Sequence, residues 1–305
     1  MLDWDDIRIF LAVARGESLG RAGRMLRMDP ATVGRRIARL EEGLARRLFT
    51  RSHQGYALTE DGARLLPHAI QAETALLAAS DAALAPQAGL SGQIRIGAPD
   101  GCANYLLPQV VAAISADNPA LEVQIIALPR VFNLSRREAD MAIAVSAPAA
   151  GRLSVQKITD YRLHLAAARS YLAAHPPIKT LEDLRAHRIV GYVPDMIFDP
   201  ELDYLAQLGV DQVQFSSNSV AVQFNAIARG AGIGVVHDFA IPSVQNVQRV
   251  LPEAFSLTRS FYLIRHIDDR RVARLNRFAE ALVRALRQEL ARLEGLLESP
   301  DSAGA

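Results

Sequence analysis

DPATVGRRIARLEEGLARRLF, residues 29–49, is the stretch on which the reading of the chain turns. The Asp29 carboxylate suits an N-cap, where it accepts backbone N–H groups, and Pro30 suits the first helical position, where a missing N–H costs nothing. The spacing predicts a helix. Val33, Ile37, Leu40 and Leu44 recur on one stripe, while Thr32, Arg35, Arg36 and Arg39 share the opposite side. Upstream, SLGRAGRMLRM (18–28) predicts a shorter helix with Leu19, Ala22 and Leu26 inward and Arg21, Arg24 and Arg27 outward. Two short helices joined by a tight Met28–Asp29–Pro30 break, with arginine on the outer face of the second, make the helix-turn-helix pattern that lays its second helix in the major groove of DNA. Taken alone, the second helix fits a helical hairpin with a solvated basic side equally well. The following stretch favours the DNA reading: TRSHQGYALTEDG (50–62) suggests a hairpin wing around His53-Gln54-Gly55, lying against phosphates.

A chain of 305 residues, half of them apolar, has material for about two cored domains. Its net charge of +1 hides an asymmetry: residues 1–58 hold eleven arginines against seven acids, +4, leaving −3 for the other 247. That mild excess suits a reader of particular sites better than a bulk coater of DNA. Cys102 is the only cysteine, which excludes an intramolecular disulfide and fits a reducing cytoplasm. The acidic start MLDWDDIRIF begins folding at once and no apolar run has the length of a membrane span, so the expected location is the cytoplasm.

In chain order, Trp4, Ile7, Phe10, Leu11 and Ala14 form the stripe of a first helix over 3–15, ended by Gly16. Gly16-Glu17-Ser18-Leu19-Gly20 spells the G-x-S-x-G of a nucleophile elbow. That elbow needs a strand before its serine; a helix precedes this one, so Ser18 is read as a helix cap. From Thr59 to about Ala85 one long helix is expected, capped by Thr59. Leu65, Ala69, Ala72, Leu76, Ala79 and Ala83 alternate four and three apart as a heptad seam, open to its own domain or to a second copy. Pro86-Gln87-Ala88-Gly89 breaks the helix and marks a domain boundary. Strand-like runs then alternate with helices: GQIRIGAP, a helix after Asn104, LEVQIIAL, DMAIAVS, RLHLAAA, RIVGYV, VQFS, a helix from Asn218 and GIGVV. Such alternation implies an α/β sheet. A last helix is expected from about Arg270 to Leu297.

Ala22, Met25-Leu26, Pro30 to Val33, Arg35 to Ile37, Leu40 to Glu42, Leu44, Leu48-Phe49, Arg51, Leu58-Thr59 and Gly62 together resemble the LysR-type transcriptional regulators. The resemblance covers nearly the whole chain, with weaker motifs in the second half. It implies an all-α winged helix-turn-helix head (1–58), a long linker helix (59–88) that pairs with a partner's, and an α/β sensor (89–305) similar to two-lobed periplasmic binding proteins. One lobe would span about 92–161 and 267–300, the other about 162–266, with a small effector in the cleft. It further implies a dimer or tetramer on an interrupted inverted repeat of double-stranded DNA. Thr32, Arg35 and Arg36 are then the expected base-edge and adjacent phosphate contacts, with Arg39, Arg51, His53 and Gln54 on the backbone. Asp29 and Gly34 stand where the family commonly has glutamine and serine. Asp29 can accept from a cytosine amine, although capping is the favoured role.

Open α/β sheets bind ligands beyond the carboxyl ends of their strands. The loops there carry Asp100, Gly101, Cys102 and Asn104, then Arg130, Ser146, Ser217-Asn218-Ser219 and His237. Each polar residue among them also suits a cap or turn. Members that sense carboxylates commonly have Ser or Thr in the first loop. Asp100 there satisfies a helix dipole itself and repels a second anion, so the expected effector is neutral or bears an amine or hydroxyls, while Arg130 and His237 keep an anion open. A lone cysteine has no thiol to resolve it, so redox switching within one chain is not expected. No HxH or HExxH occurs and no metal or cofactor is expected. Gly230-Ala231-Gly232-Ile233-Gly234 follows a helix and precedes a strand, the reverse of a dinucleotide fingerprint, and is read as a helix stop. No catalytic set assembles from these loops, so an enzyme on a binding-protein-like fold is the weaker rival. The other rival is a structural DNA binder whose α/β half only oligomerises.

Overall fold

The computed structural model describes residues 3–52, 55–83, 89–127, 139–148, 152–205, 208 and 212–298. The chain divides into two compact units: 1–88 with 133–138 and 266–276, and 89–132 with 139–265 and 277–305. No helix among the described residues is long and apolar enough to cross a membrane.

In the first unit α1 (Trp4–Gly16), α2 (Leu19–Leu26) and α3 (Pro30–Leu44) pack around Phe10, Val13, Ala22, Val33 and Ile37. Asp29 caps α3 as its chemistry dictates, its carboxylate accepting from the Ala31 N–H at 2.8 Å. Ser18 stands at the N-cap of α2, but its side chain makes no capping bond, so only its position matches the expected cap. The head is not all-α. Strands β1 (Phe49–Ser52) and β2 (Gly55–Leu58) form an antiparallel hairpin with Arg51 opposite Tyr56. His53 and Gln54 at its tip lie outside the described residues.

The hairpin is fastened to the helices through backbone. The Tyr56 N–H donates to the Glu17 carbonyl at 2.8 Å. Gly55 has φ +127, and a Cβ there would stand 2.3 Å from that same carbonyl oxygen, so only glycine allows the approach. Glu41, buried on α3, accepts from the Leu48 and Phe49 N–H groups at 2.7 and 3.2 Å and from Arg47 at 2.8 Å. The carboxylate that the sequence places in the polar part of α3 therefore ties that helix to the wing.

Helix α4 (Glu60–Ala83) starts at Thr59, whose hydroxyl accepts from the Gly62 N–H at 3.0 Å and donates to the Arg47 carbonyl at 2.6 Å. The Arg15 guanidinium grips Glu73 two-pronged, at 3.0 and 2.5 Å, and holds α4 to α1. Along the heptad seam Ala69 is buried and Leu65 half-buried, whereas Ala72, Leu76 and Ala79 are exposed. Leu76 is 46 % exposed within one chain.

Among the described residues the second unit is built on one mixed sheet of nine strands. Its strands are β3 (Gly92–Ala98), β4 (Leu121–Ala127), β5 (Met141–Ala144), β6 (Leu153–Ala168), β7 (Ile189–Gly191), β8 (Phe215–Ser216), β9 (Ile233–His237), β10 (Val247–Arg249) and β11 (Ser256–His266). The order is β4-β3-β5-β11-β6-β9-β7-β8, with β10 also on β6. Two parallel groups, β4-β3-β5 and β9-β7-β8, flank the long β11 and β6, which join them antiparallel. Helices α5 (Asp100–Tyr105), α6 (Leu107–Ala116), α7 (Arg169–Ala174), α8 (Val220–Ala228) and α9 (Ala273–Gly295) connect or cover them.

Three boundaries differ from the sequence reading. The stretch after β3 is not a loop leading to a helix past Asn104; the helix begins at Asp100, breaks at Leu106 and resumes at Leu107. Strand β6 begins nine residues before RLHLAAA because its first half, with Gln156, Lys157 and Asp160 exposed, lacks the apolar run that flags a buried strand. Strands β10 and β11 were not expected at all. Gly230, at φ +78 just past α8, acts as the helix stop.

Candidate functional sites

On the head, Thr32, Arg35, Arg36 and Arg39 of α3 divide into two pairs. Arg35 is exposed, and its guanidinium donates to the Thr32 hydroxyl at 3.1 Å on the same helix. Arg36 and Arg39 point instead at the start of α1. Arg36 Nε donates to Asp6, and its Nη2 stands 3.7 and 3.9 Å from Asp3 and Asp5. Arg39 donates to Asp6 at 2.7 and 2.9 Å and to Asp3 at 3.4 Å, and the Asp6 bond pushes its pKa further up. Asp6 is buried, so it needs these cations.

In the free chain Arg36, expected with Arg35 and Thr32 at base edges or adjacent phosphates, and Arg39, expected on the DNA backbone, both brace α3 against α1. Helical spacing finds which residues share a face, but the acids that claim two of them lie some 30 residues upstream. Arg21, Arg24, Arg27, Arg46 and Arg51 are exposed, with no ion pair among the described residues. Arg47 is also exposed but is paired with Glu41.

In the second unit a small enclosed cleft lies between the two parallel groups of the sheet. Its volume is about 20 Å³, and Asp100, Gly101, Cys102, Tyr161, Tyr192, Tyr204, Asn218, His237 and Phe261 are among the residues lining it. A space of that size has room for a water molecule and not for a metabolite in this conformation.

Asp100 is the first residue of α5, but its carboxylate serves another helix. Oδ2 accepts from the Ser219 hydroxyl and the Ala221 N–H, both at 2.9 Å, which places it on the N-terminus of α8. Ser219 Oγ in turn caps α8, accepting from Val222 N–H at 3.3 Å. Asn104 folds back on Asp100, donating to its carbonyl at 2.8 Å and its carboxylate at 3.1 Å. A second bridge joins the Ser146 hydroxyl to Asp199 at 2.5 Å. Gly101 lets α5 approach β9, for a Cβ there would stand 3.1 Å from the His237 ring.

The sequence-derived set is therefore partly redistributed. Asp100, Gly101, Cys102, Asn218 and His237 line the cleft, Ser146 and Ser219 clasp its edge, and Asn104 and Ser217 make local capping bonds. Arg130 lies outside the described residues. The aromatic lining was missed. Tyr161 and Phe261, stacked with ring centres 4.1 Å apart, come from the long central strands. Tyr192, Phe198 and Tyr204 come from the irregular stretch YVPDMIFDPELDY (192–204), where three aromatics among turn formers were the available signal.

Burial dominates the chemistry here. It pushes the Tyr161, Tyr192 and Tyr204 hydroxyls well above their usual range and holds the Cys102 thiol protonated, so this cysteine is no nucleophile. His237, 4 % exposed, is lowered to about 4 by burial, partly offset by Asp238, and is neutral near pH 7. Among the described residues no cluster of His, Cys, Asp and Glu is arranged to hold a metal ion.

His237 makes the fold acid-sensitive. Between the ordinary histidine pKa of 6.5 and about 4, the unfolded chain takes up a proton here that the folded chain refuses. Stability therefore falls as pH drops through that window, by on the order of 3 kcal/mol in full. His237→Gln is expected to lose about 3–8 °C less in Tm between pH 7 and pH 5 than the parent chain. Equal losses in thermal melts would show that another group carries the effect.

A winged helix-turn-helix head with free arginines, and an α/β unit with an enclosed polar-aromatic cleft, define a two-domain DNA-binding regulator. Residues 4–63 match the model for the bacterial regulatory helix-turn-helix protein, lysR family. Residues 87–287 match the LysR substrate binding domain. The chain belongs to the LysR family of transcription regulators, with a DNA-binding head and an effector-binding domain. It is 24% identical over 299 residues to the regulator CrgA of Neisseria meningitidis, covering 94% of this chain and 98% of that one. It is 26% identical over 262 residues to the Escherichia coli activator TtdR, covering 81% and 82%. Among solved structures the fold is shared with full-length OxyR C199D of Pseudomonas aeruginosa, at TM-score 0.71 and 17% identity over 94% of this chain and 95% of that one. Full-length CrgA shares it at TM-score 0.58, over 94% and 99%.

Proposed function

We propose that the chain is a site-specific regulator that dimerises through α4 and reads an interrupted inverted repeat through α3. The observation that carries this reading is exposed Arg35 with half-buried Thr32, bonded to each other on a helix whose other face is locked into the core. Arg35 takes a base edge, while Arg51 and the α2 arginines hold the duplex backbone. His53 and Gln54 are assigned to the same backbone contact through the hairpin. Arg36 and Arg39 set the pose of α3.

The exposed seam of α4, Ala72, Leu76 and Ala79, supports a second copy as partner, because small residues there allow close helix approach. A tetramer and a cytoplasmic location are carried over from the family resemblance. The cleft around Tyr161 and His237 takes a small effector whose binding favours one of two arrangements of the paired heads. The domain limits 1–58, 59–88 and 89–305 complete the proposal.

The test is a gel shift on the gene's own promoter at low and physiological salt. The expected result is binding at least about a thousand-fold tighter than to random duplex. Equal affinity for both DNAs would contradict the reading.

A further inference from the structure

Asp100 fills a place that open α/β folds usually keep for an anionic ligand. The first N–H groups of a helix point outward, unsatisfied and partly positive, and attract negative charge. On α8 those donors are taken: Ala221 N–H and the capping Ser219 hydroxyl both give to Asp100 Oδ2 at 2.9 Å. The acceptor comes from the opposite side of the cleft, 119 residues earlier in the chain than Ser219, so one carboxylate both neutralises the helix end and draws the cleft shut.

Two residues that line the cleft each have a buried polar atom left without a partner. The Tyr161 hydroxyl and His237 Nδ1 are buried and make no hydrogen bond, although Tyr161 is 1 % exposed and His237 4 %. Buried polar atoms of this kind mark a place where a ligand or water belongs. Neither is charged at pH 7, and none of the described lining residues is an arginine or lysine. The nearby Arg259 is already engaged by Glu201 at 2.7 Å.

Resting on the reading of this cleft as the effector site, we infer that Asp100 is a built-in ligand. It occupies the anion seat of α8, so the cleft refuses carboxylates and admits a small uncharged molecule that hydrogen-bonds to Tyr161 and His237. The family's fold leaves this choice open; the side chain at position 100 makes it.

The test is thermal melting of the full chain and of Asp100→Ser as chloride is exchanged for acetate at constant sodium, with acetamide as the uncharged isostere. Serine vacates the seat and leaves a hydroxyl beside it. The variant is expected to melt about 2–6 °C lower without ligand. Acetate should then raise its Tm and leave the parent unmoved, while acetamide acts alike on both. Stabilisation of the parent by acetate, or an acetate response in neither chain, overturns the inference. So does an acetamide response confined to the variant, which would mean the substitution merely opened the cleft. If Asp100→Ser does not fold, Asp100→Ala carries the same comparison, since it too vacates the seat and removes the charge. No DNA is present in this experiment, so its failure is separable from failure of promoter binding.

Discussion

Asp238→Ala is expected to destabilise the α/β unit by about 3–5 kcal/mol, lowering its Tm by roughly 6–20 °C. Asp238 is 0 % exposed and accepts from His164 Nδ1 at 2.8 and 3.0 Å and from Arg249 Nη2 at 2.6 Å. Those partners sit on β6 and β10, so one carboxylate at the end of β9 holds three neighbouring strands in register. Removing it leaves a half-buried guanidinium and a buried imidazole without this acceptor, which costs more than the net worth of the bonds. Asp238→Asn keeps one acceptor oxygen and should lose about half as much. A loss under about 1 kcal/mol for the alanine variant, measured by denaturant or thermal melts, would mean that water replaces the carboxylate. Because His237 lies next in the chain and lines the cleft, a loosened β9 should also reduce ligand response.

The second large effect is on DNA. Arg35→Ala should weaken binding to the cognate site by about 1–3 kcal/mol, roughly 5- to 150-fold, with relaxed discrimination at one base pair. Its melting temperature should hardly move, since the side chain is exposed and its bond to Thr32 lies within the same helix. Arg36→Ala should do the opposite. Its guanidinium, 26 % exposed, braces buried Asp6, so its loss lowers the stability of the head and weakens cognate and random DNA alike. Read from the helical face alone, Thr32, Arg35 and Arg36 are all expected at base edges or adjacent phosphates. With Arg36 engaged by Asp6, Arg35 is the one expected to discriminate bases. Paired binding and melting curves for the two variants decide, and a swap of the two signatures would give that role to Arg36 instead.

Much of the head was legible because its signals are local. The Asp29 cap, the Val33–Ile37–Leu40 stripe and the Thr59 start of α4 depend on neighbours three or four positions away, and each stands where chemistry at that range puts it. In the α/β unit the buried strands were legible as apolar runs, but the exposed first half of β6 and all of β10 and β11 were not. Of the cleft, the loops beyond the strands were identifiable by rule, yet the aromatic floor was hidden because Tyr161 and Phe261 sit mid-strand, where an aromatic is as ordinary as any core residue.

What the sequence determined unaided, then, is the inventory: a helix-turn-helix with a cationic face, a long seam-bearing helix, an α/β unit, and a lone acid where a strand meets a helix. Only the tertiary structure decided what each charge does. Asp6 claims Arg36 and Arg39, and Asp100 seats itself on α8 across the cleft. The physical reason is range. Backbone periodicity and capping act within a turn of helix, whereas a desolvated charge chooses among every donor the fold brings within about 3 Å, wherever those donors lie along the chain.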